Sequence, residues 1–288
     1  MAEGYAGRHN SAVRTARLLQ QKKHRLERRC FLIEGPLLLQ AALESGTPVE
    51  EVFILDNRSR GEGILSRSYL QLERSDSFAH LSERALKVDR RTLDSLSQTK
   101  TPQGIVAVAK FIDHDASGLE RLLPKDGPVV VLVLPSLSDP GNAGTLIRSA
   151  EAFGASAVCF GPEAVEPYND KVVRASMGSL FRVPIVRYED WAVFVAAARA
   201  AKLHIVAAEA GGTDVRDVTL PLRACLVIGQ ERHGHAGLPR EDVDTVVALP
   251  QRAGIDSLNA AIAGSLLLYE FERAHASDSS TRSGTSRA

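Results

Sequence analysis

The sequence predicts an α/β protein of two domains, the second built on a parallel sheet. Three observations predict it. Between residues 128 and 275 short apolar runs alternate with helix-compatible segments, which calls for parallel strands joined by crossovers. The first of those runs, VVVLVLPSL from Val129, is dense in β-branched residues without polar alternation, the pattern of a strand covered on both faces. The period then fails between Ile112 and Pro128, where Asp113, Asp115, Ser117, Gly118, Pro124, Asp126 and Gly127 gather as in an interdomain connection. The expected division is an N-terminal extension over 1–10, a small α/β domain over 11–111, a linker over 112–127, the larger domain over 128–275 and a disordered Ser/Thr/Arg tail over 276–288.

In order along the chain, Ser11 to Arg29 reads as one helix. Val13, Ala16, Leu19 and Leu26 would pack, and Arg14, Arg17, Lys22, Lys23, Arg25, Arg28 and Arg29 would stay cationic. Whole-chain charge is balanced at 35 against 35, yet through residue 30 eight lysines and arginines stand against Glu3 and Glu27 alone. Such a face either meets a polyanion or merely solvates the helix. FLIEG follows as a strand, Pro36 to Ser45 as a helix opened by proline, and VEEVFIL as a strand. Val88 to Ser97 reads as a short helix or turn, and TKTPQGIVAVAKF as a polar turn entering a strand. In the larger domain AGTLIRSAEAFGA, WAVFVAAARAAK and NAAIAGSLLLYEFERA read as helices, and AVCF, HIVAAE, ACLVIG and TVVALP as strands.

Some function classes are excluded. Cys30, Cys159 and Cys225 lack the paired spacing of a zinc site or redox dithiol, and Cys159 and Cys225 sit in apolar runs, as core thiols do. His233 and His235 have no further clustered ligand, so no metal is expected. No segment resembles a signal peptide or reaches the ~20 apolar residues of a membrane span, so a cytoplasmic protein with no membrane partner is expected.

Three segments place glycine, asparagine and charge directly behind strands, where open α/β sheets bind ligands. The first runs from Ser138 through Asp139, Pro140, Gly141 and Asn142 to Arg148. Its glycines permit close backbone approach, its helix N-terminus suits an anion, and the Arg148 fork suits a phosphate or oxygen pair. A plain Asp139 helix cap followed by a surface arginine explains the same residues. The nicotinamide fingerprint does not fit, because the three glycines and the following acidic residue are missing. The second segment is Ile228, Gly229, Gln230, Glu231, Arg232, His233, Gly234. Glu231 could bind a ribose or orient Arg148, or be a turn residue. The third runs from Leu249 to Asn259 and includes Ser257 and Leu258. Ser257 or Asn259 would cap the last helix or meet a sugar hydroxyl.

Taken in this order, DPGNAGTLIR, IGQERHG and LPQRAGIDSLN resemble the three motifs of SpoU-type (TrmH-like) RNA 2′-O-ribose methyltransferases of the SPOUT superfamily. The basic helix, FLIEGPLLLQAAL and TKTPQGIVAV are similar to the L30e-like RNA-binding domain that precedes the catalytic domain in ribosomal members. The narrower likeness is to antibiotic-resistance enzymes of the avilamycin type acting on 23S ribosomal RNA. The resemblance implies a C-terminal SPOUT domain with a deep trefoil knot, S-adenosylmethionine as cofactor, structured RNA as substrate and a homodimer. It places Ile228, Gly229, Leu249 and Leu258 at the cofactor, and Asn142, Arg148, Glu231, Ser257 and Asn259 at the reaction centre. The third motif departs from the common pattern at Gln251 and at Ala260-Ala261, where methionine and Val-Ser are usual.

Arg148 is expected to hold the target phosphate and hydroxyl rather than act as a base, because a guanidinium stays protonated. Proton loss would then be assisted by that phosphate or by Ser257. Two other readings compete: an RNA-binding protein that keeps the fold without turnover, and a nucleotide- or phosphate-binding enzyme using DPGNAGTLIR as an anion loop.

Overall fold

A computed structural model describes residues 6–56, 72, 74–229, 238–252 and 258–276. The chain divides by contacts into two compact units: Met1–Ile112 with Glu166–Arg182, and Asp113–Val165 with Val183–Ala288.

The first unit carries α1 (Ser11–Leu18), α2 (Lys22–Arg28), β1 (Cys30–Glu34), α3 (Pro36–Glu44), β2 (Val49–Leu55), α4 (Asp76–Ser82), β3 (Leu86–Val88), α5 (Arg90–Leu96) and β4 (Ile105–Lys110). Its sheet has the order β1-β4-β2-β3, with β4 antiparallel to both neighbours and β3 parallel to β2. Val13, Ala16, Leu19, Leu32, Phe53, Leu93, Leu96 and Val106 fill one core beneath α1 and α5. β3 has only three residues, too few to show a period, and the sequence did not reveal it.

The expected single helix over 11–29 is broken. Gln21 is extended (φ −99°, ψ 131°) and α2 starts anew at Lys22. The cause is Arg25. Its Nη1 donates to the carbonyls of Leu19 (3.0 Å) and Gln20 (3.1 Å), oxygens that the end of α1 leaves without helical partners. Gln20 meanwhile donates to the carbonyls of Ser95 (3.0 Å) and Leu96 (3.2 Å), tying the break to α5.

Glu166–Arg182, which includes the helix α8 (Asp170–Ala175), belongs by contacts to the first unit, although the sequence reading set it within 128–275. Aromatic packing explains this. Tyr168 stacks on Phe111 (centroids 4.0 Å apart, planes at 17°) and leans on Phe31 (4.8 Å), and Phe181 stacks on Phe31 at 6.2 Å. The Tyr168 hydroxyl accepts from the Ile112 amide at 2.9 Å.

The second unit carries β5 (His114–Asp115), α6 (Leu119–Leu122), β6 (Val129–Leu134), α7 (Pro140–Ala152), β7 (Ala157–Phe160), β8 (Ile185–Arg187), α9 (Trp191–Ala200), β9 (His204–Asp214), β10 (Arg223–Ile228), β11 (Thr245–Ala248) and α10 (Ala260–His275). They form a sheet ordered β11-β9-β10-β6-β7-β8-β5 in which every neighbouring pair is parallel. β6 is buried at all positions, as its unalternating sequence requires. The 112–127 stretch, expected as a bare linker, contributes β5 to the sheet edge and packs Ala116, Leu119 and Leu123 into the core with Val131, Phe194 and Val227. Its prolines, glycines and aspartates bound very short elements, which a longer period search averages away. Cys159 and Cys225 are fully buried in this core, and burial pushes both thiols up.

Candidate active site

The first and third segments converge. Asp139 caps α7, its Oδ1 accepting from the Asn142 amide at 2.7 Å, and Pro140 occupies the first turn. Asn259 caps α10, its Oδ1 accepting from the amides of Ala261 (3.0 Å) and Ile262 (3.3 Å). The remaining Asn259 donor, Nδ2, reaches the Asn142 side-chain oxygen at 3.0 Å. The expected helix cap is present at Asn259, and the other end of the same amide joins the first and third segments.

α10 is seated against α7 closely enough that a Cβ at Gly264 would force Leu146 to shift. A Cβ there would stand 2.6 Å from Leu146 Cδ2 and 3.2 Å from Ile228 Cγ1. Ser149 and Ser265 hydroxyls meet at 2.6 Å along the same seam, and Ser265 also donates to the Ala261 carbonyl. Gly264, Ser149 and Ser265 were not picked out from sequence. For Gly264 and Ser265 the available signal is the run of small residues AAIAGS that opens the helix before the bulky LLLYEF.

β10 and β11 both pair with β9 and run parallel to it, so their C-terminal ends open in the same direction. Ile228 is buried, Gly229 follows it half-buried, and Leu249 stands half-buried just beyond β11. Leu258 is half-buried immediately before the cap of α10. Glu231 and Ser257, with His233 and His235, lie outside the described residues. Arg148 lies six residues beyond Asn142 on α7, which sets it ~9 Å further along the axis. It is exposed, and among the described residues it makes no hydrogen bond or ion pair.

The cationic residues of the first unit separate into two groups. Arg14, Arg17, Lys22, Lys23, Arg28 and Arg29 are exposed, with Lys23 3.9 Å from Glu27 and the Arg29 guanidinium 5.2 Å above the Phe111 ring. Arg25, expected among the RNA-binding cations, is instead 4% exposed. Its Nε and Nη2 donate to Glu166 Oε2 at 2.8 and 2.5 Å, and Glu166 is itself buried. A guanidinium so enclosed cannot reach a phosphate. Among the described residues no helix is long and apolar enough to cross a membrane.

Two family models match the chain. The SpoU rRNA Methylase family matches residues 129–269, and the MRM3-like substrate binding domain matches residues 10–107. The 23S rRNA (uridine(2479)-2′-O)-methyltransferase of Streptomyces viridochromogenes is 31% identical over 265 residues, covering 89% of this chain and 87% of the relative. The 23S rRNA (guanosine(2553)-2′-O)-methyltransferase RlmP of Bacillus subtilis is 29% identical, covering 90% and 95%. Among solved structures, the SpoU methyltransferase AviRb from Streptomyces viridochromogenes in complex with AdoMet superposes with a TM-score of 0.76 at 29% identity, covering 92% of this chain and 98% of that one. An AdoMet-bound rRNA methyltransferase from Sinorhizobium meliloti gives 0.77 at 28% identity, covering 94% and 98%. With its loops meeting behind parallel strands and its length matched nearly end to end, the chain belongs to the SpoU rRNA methylase family.

Proposed function

We propose that this chain methylates a ribose 2′-hydroxyl of large-subunit ribosomal RNA, using S-adenosylmethionine. The Asn259–Asn142 hydrogen bond carries the reading, because it brings the first and third motifs into contact in a chain that aligns with two 23S rRNA 2′-O-methyltransferases. A phosphate-binding loop alone would not need that partner.

The residues present fit the cofactor. Leu249 and Leu258 offer half-buried apolar surface, and Gly229, also half-buried, follows the end of β10. Bound there, S-adenosylmethionine supplies a methyl group on a sulfonium, which passes to the ribose oxygen as the sulfur–carbon bond breaks. The protein's task is to hold two ligands in line and to let a poorly acidic hydroxyl lose its proton. Arg148 holds the target phosphate and hydroxyl, with a fork that has no competing partner among the described residues. Asn142, fixed by Asn259, orients the sugar. The proton leaves to the neighbouring RNA phosphate or to Ser257, with Glu231 assisting Arg148. Six exposed cations, Arg14, Arg17, Lys22, Lys23, Arg28 and Arg29, contact the RNA backbone.

The enzyme works as a cytoplasmic homodimer, with the knotted topology of its superfamily enclosing the cofactor. Ile262 (53% exposed), Leu266 (43%) and Tyr269 (46%) form one stripe along α10, an apolar face that a second copy would cover.

Purified protein, tritium-labelled S-adenosylmethionine and unmodified 23S rRNA test the reading. Incorporation at a single 2′-O position is expected. No incorporation into ribosomal RNA, despite cofactor binding, would overturn it. Modification of transfer RNA instead would correct the substrate.

A further inference from the structure

One carboxylate fixes the shape of a polar surface loop. Glu34 ends β1, and its Oε1 accepts from the hydroxyls of Ser97 and Thr99, while its Oε2 accepts from the Gln98 amide at 3.1 Å. The Thr99 amide in turn donates to the Ser97 hydroxyl at 3.1 Å. Glu34 is only half-buried, so water could satisfy it without ordering any loop. Ordering a loop costs conformational entropy, and loops held rigid on a scaffold are where binding residues collect.

The other end of the loop shows what is being held. Gly35 follows Glu34 with φ +94°, and the Gln103 side chain lies against it, with Oε1 2.8 Å from where a Cβ would stand. The positive φ favours glycine, and the missing Cβ lets the amide approach. Gln103 is nevertheless exposed, and its amide makes no hydrogen bond among the described residues. Lys100, between the two anchors, is exposed and has no ion pair among the described residues. A positioned amide with donor and acceptor unused, three residues after an unpaired ammonium, suits one nucleotide. The amide matches a base edge that carries a donor beside an acceptor, as adenine does, and the ammonium matches a phosphate. No residue from 97 to 104 has the large apolar side chain that a protein partner would bury.

We propose that the 97–104 loop reads the RNA substrate, Gln103 taking the edge of an unpaired base and Lys100 a neighbouring phosphate, with Glu34 as the positioning residue that holds both. The inference rests on the RNA-methylation reading and deepens it. The loop lies inside the 10–107 match to a substrate binding domain, far along the chain from the cations of α1 and α2.

Lysine acetylation of the full protein, followed by mass spectrometry, should show Lys100 protected by 23S rRNA. Gln103→Met keeps the length of the side chain over Gly35 and adds no charge, but it removes the amide. It should raise the KM for RNA at least about fivefold, with the melting temperature unchanged. Lys100→Gln should lower the salt slope of RNA binding by about one. Ser97→Ala combined with Thr99→Val loosens the loop without altering β1, and should raise the KM for RNA while S-adenosylmethionine affinity holds. Equal acetylation with and without RNA, or a KM and salt slope unaltered in these variants, would overturn the proposal. So would protection of Lys100 by raised protein concentration alone, which would reveal a contact between copies. Should the wild type neither bind nor methylate RNA, the functional reading itself fails, an outcome separate from variants that behave like an active wild type.

Discussion

Asn259 Nδ2 donates to Asn142 Oδ1 at 3.0 Å, joining residues 117 positions apart in the chain. The same Asn259 accepts amides of the first turn of α10 on its other atom, so one side chain both caps a helix and holds the proposed reaction-centre residue Asn142. Substitution can separate the two. Asn259→Ala should lose about 1–2 kcal/mol of stability from the missing cap, along with most turnover. Asn259→Ser should retain most of the cap and still lose turnover. Chemical denaturation beside a methylation assay distinguishes these outcomes, and an active Asn259→Ser enzyme would limit Asn259 to capping.

Arg148 is exposed and without a partner among the described residues, so its removal should cost within about 0.5 kcal/mol of stability. Arg148→Ala is expected to lower methyl transfer by at least about 100-fold while calorimetric titration finds cofactor affinity nearly intact. Arg148→Lys should rescue little, because a point charge does not replace a planar fork.

At Gly264 two effects oppose each other. Alanine improves helix propensity by about 1 kcal/mol, but its Cβ would press on Leu146, which is fully buried, and on Ile228. Overpacking of this kind costs about 1–3 kcal/mol and should win. Gly264→Ala should therefore lower the melting temperature. It should also weaken S-adenosylmethionine binding, because the displaced Ile228 immediately precedes Gly229, the proposed cofactor contact.

Arg25→Ala would strand the buried Glu166 carboxylate and uncap α1, a loss of about 3–5 kcal/mol. The double replacement Arg25→Met with Glu166→Leu should cost less than Arg25→Ala alone, because no charge is left buried. Urea titrations of both variants measure the difference.

Asp244 provides a pH signature. Burial alone would raise its carboxyl, but hydrogen bonds from Arg199 and the Ile205 amide, with the charges of Arg199 and His204, outweigh burial and hold it below the ordinary 3.8. A lowered folded value means the stabilisation is full above about pH 4 and is lost as pH falls through that value. The stability gap between wild type and Asp244→Asn should thus be widest near neutrality and narrow below pH 4, as read from denaturation midpoints.

Much of this protein was legible residue by residue. The unalternating run at Val129, the Asp139-Pro140 helix start and the final helix from Ala260 are local patterns, and each element stands where its pattern stands. The three motifs were likewise visible, because glycine, asparagine and arginine behind strands are local chemistry. β3 and β8, with three residues each, were too short for any period to register.

Tertiary structure alone decided three matters. It buried Arg25 against Glu166, 141 residues away, where a helical period could only place one more cation on a basic face. It drew Glu166–Arg182 into the first unit through Phe31, Phe111 and Tyr168, rings whose partners no spacing along the chain reveals. And it paired Asn142 with Asn259. Periodicity reports which face of an element avoids water, whereas these choices depend on which distant group satisfies a buried charge, ring or amide, and only the folded chain supplies that group.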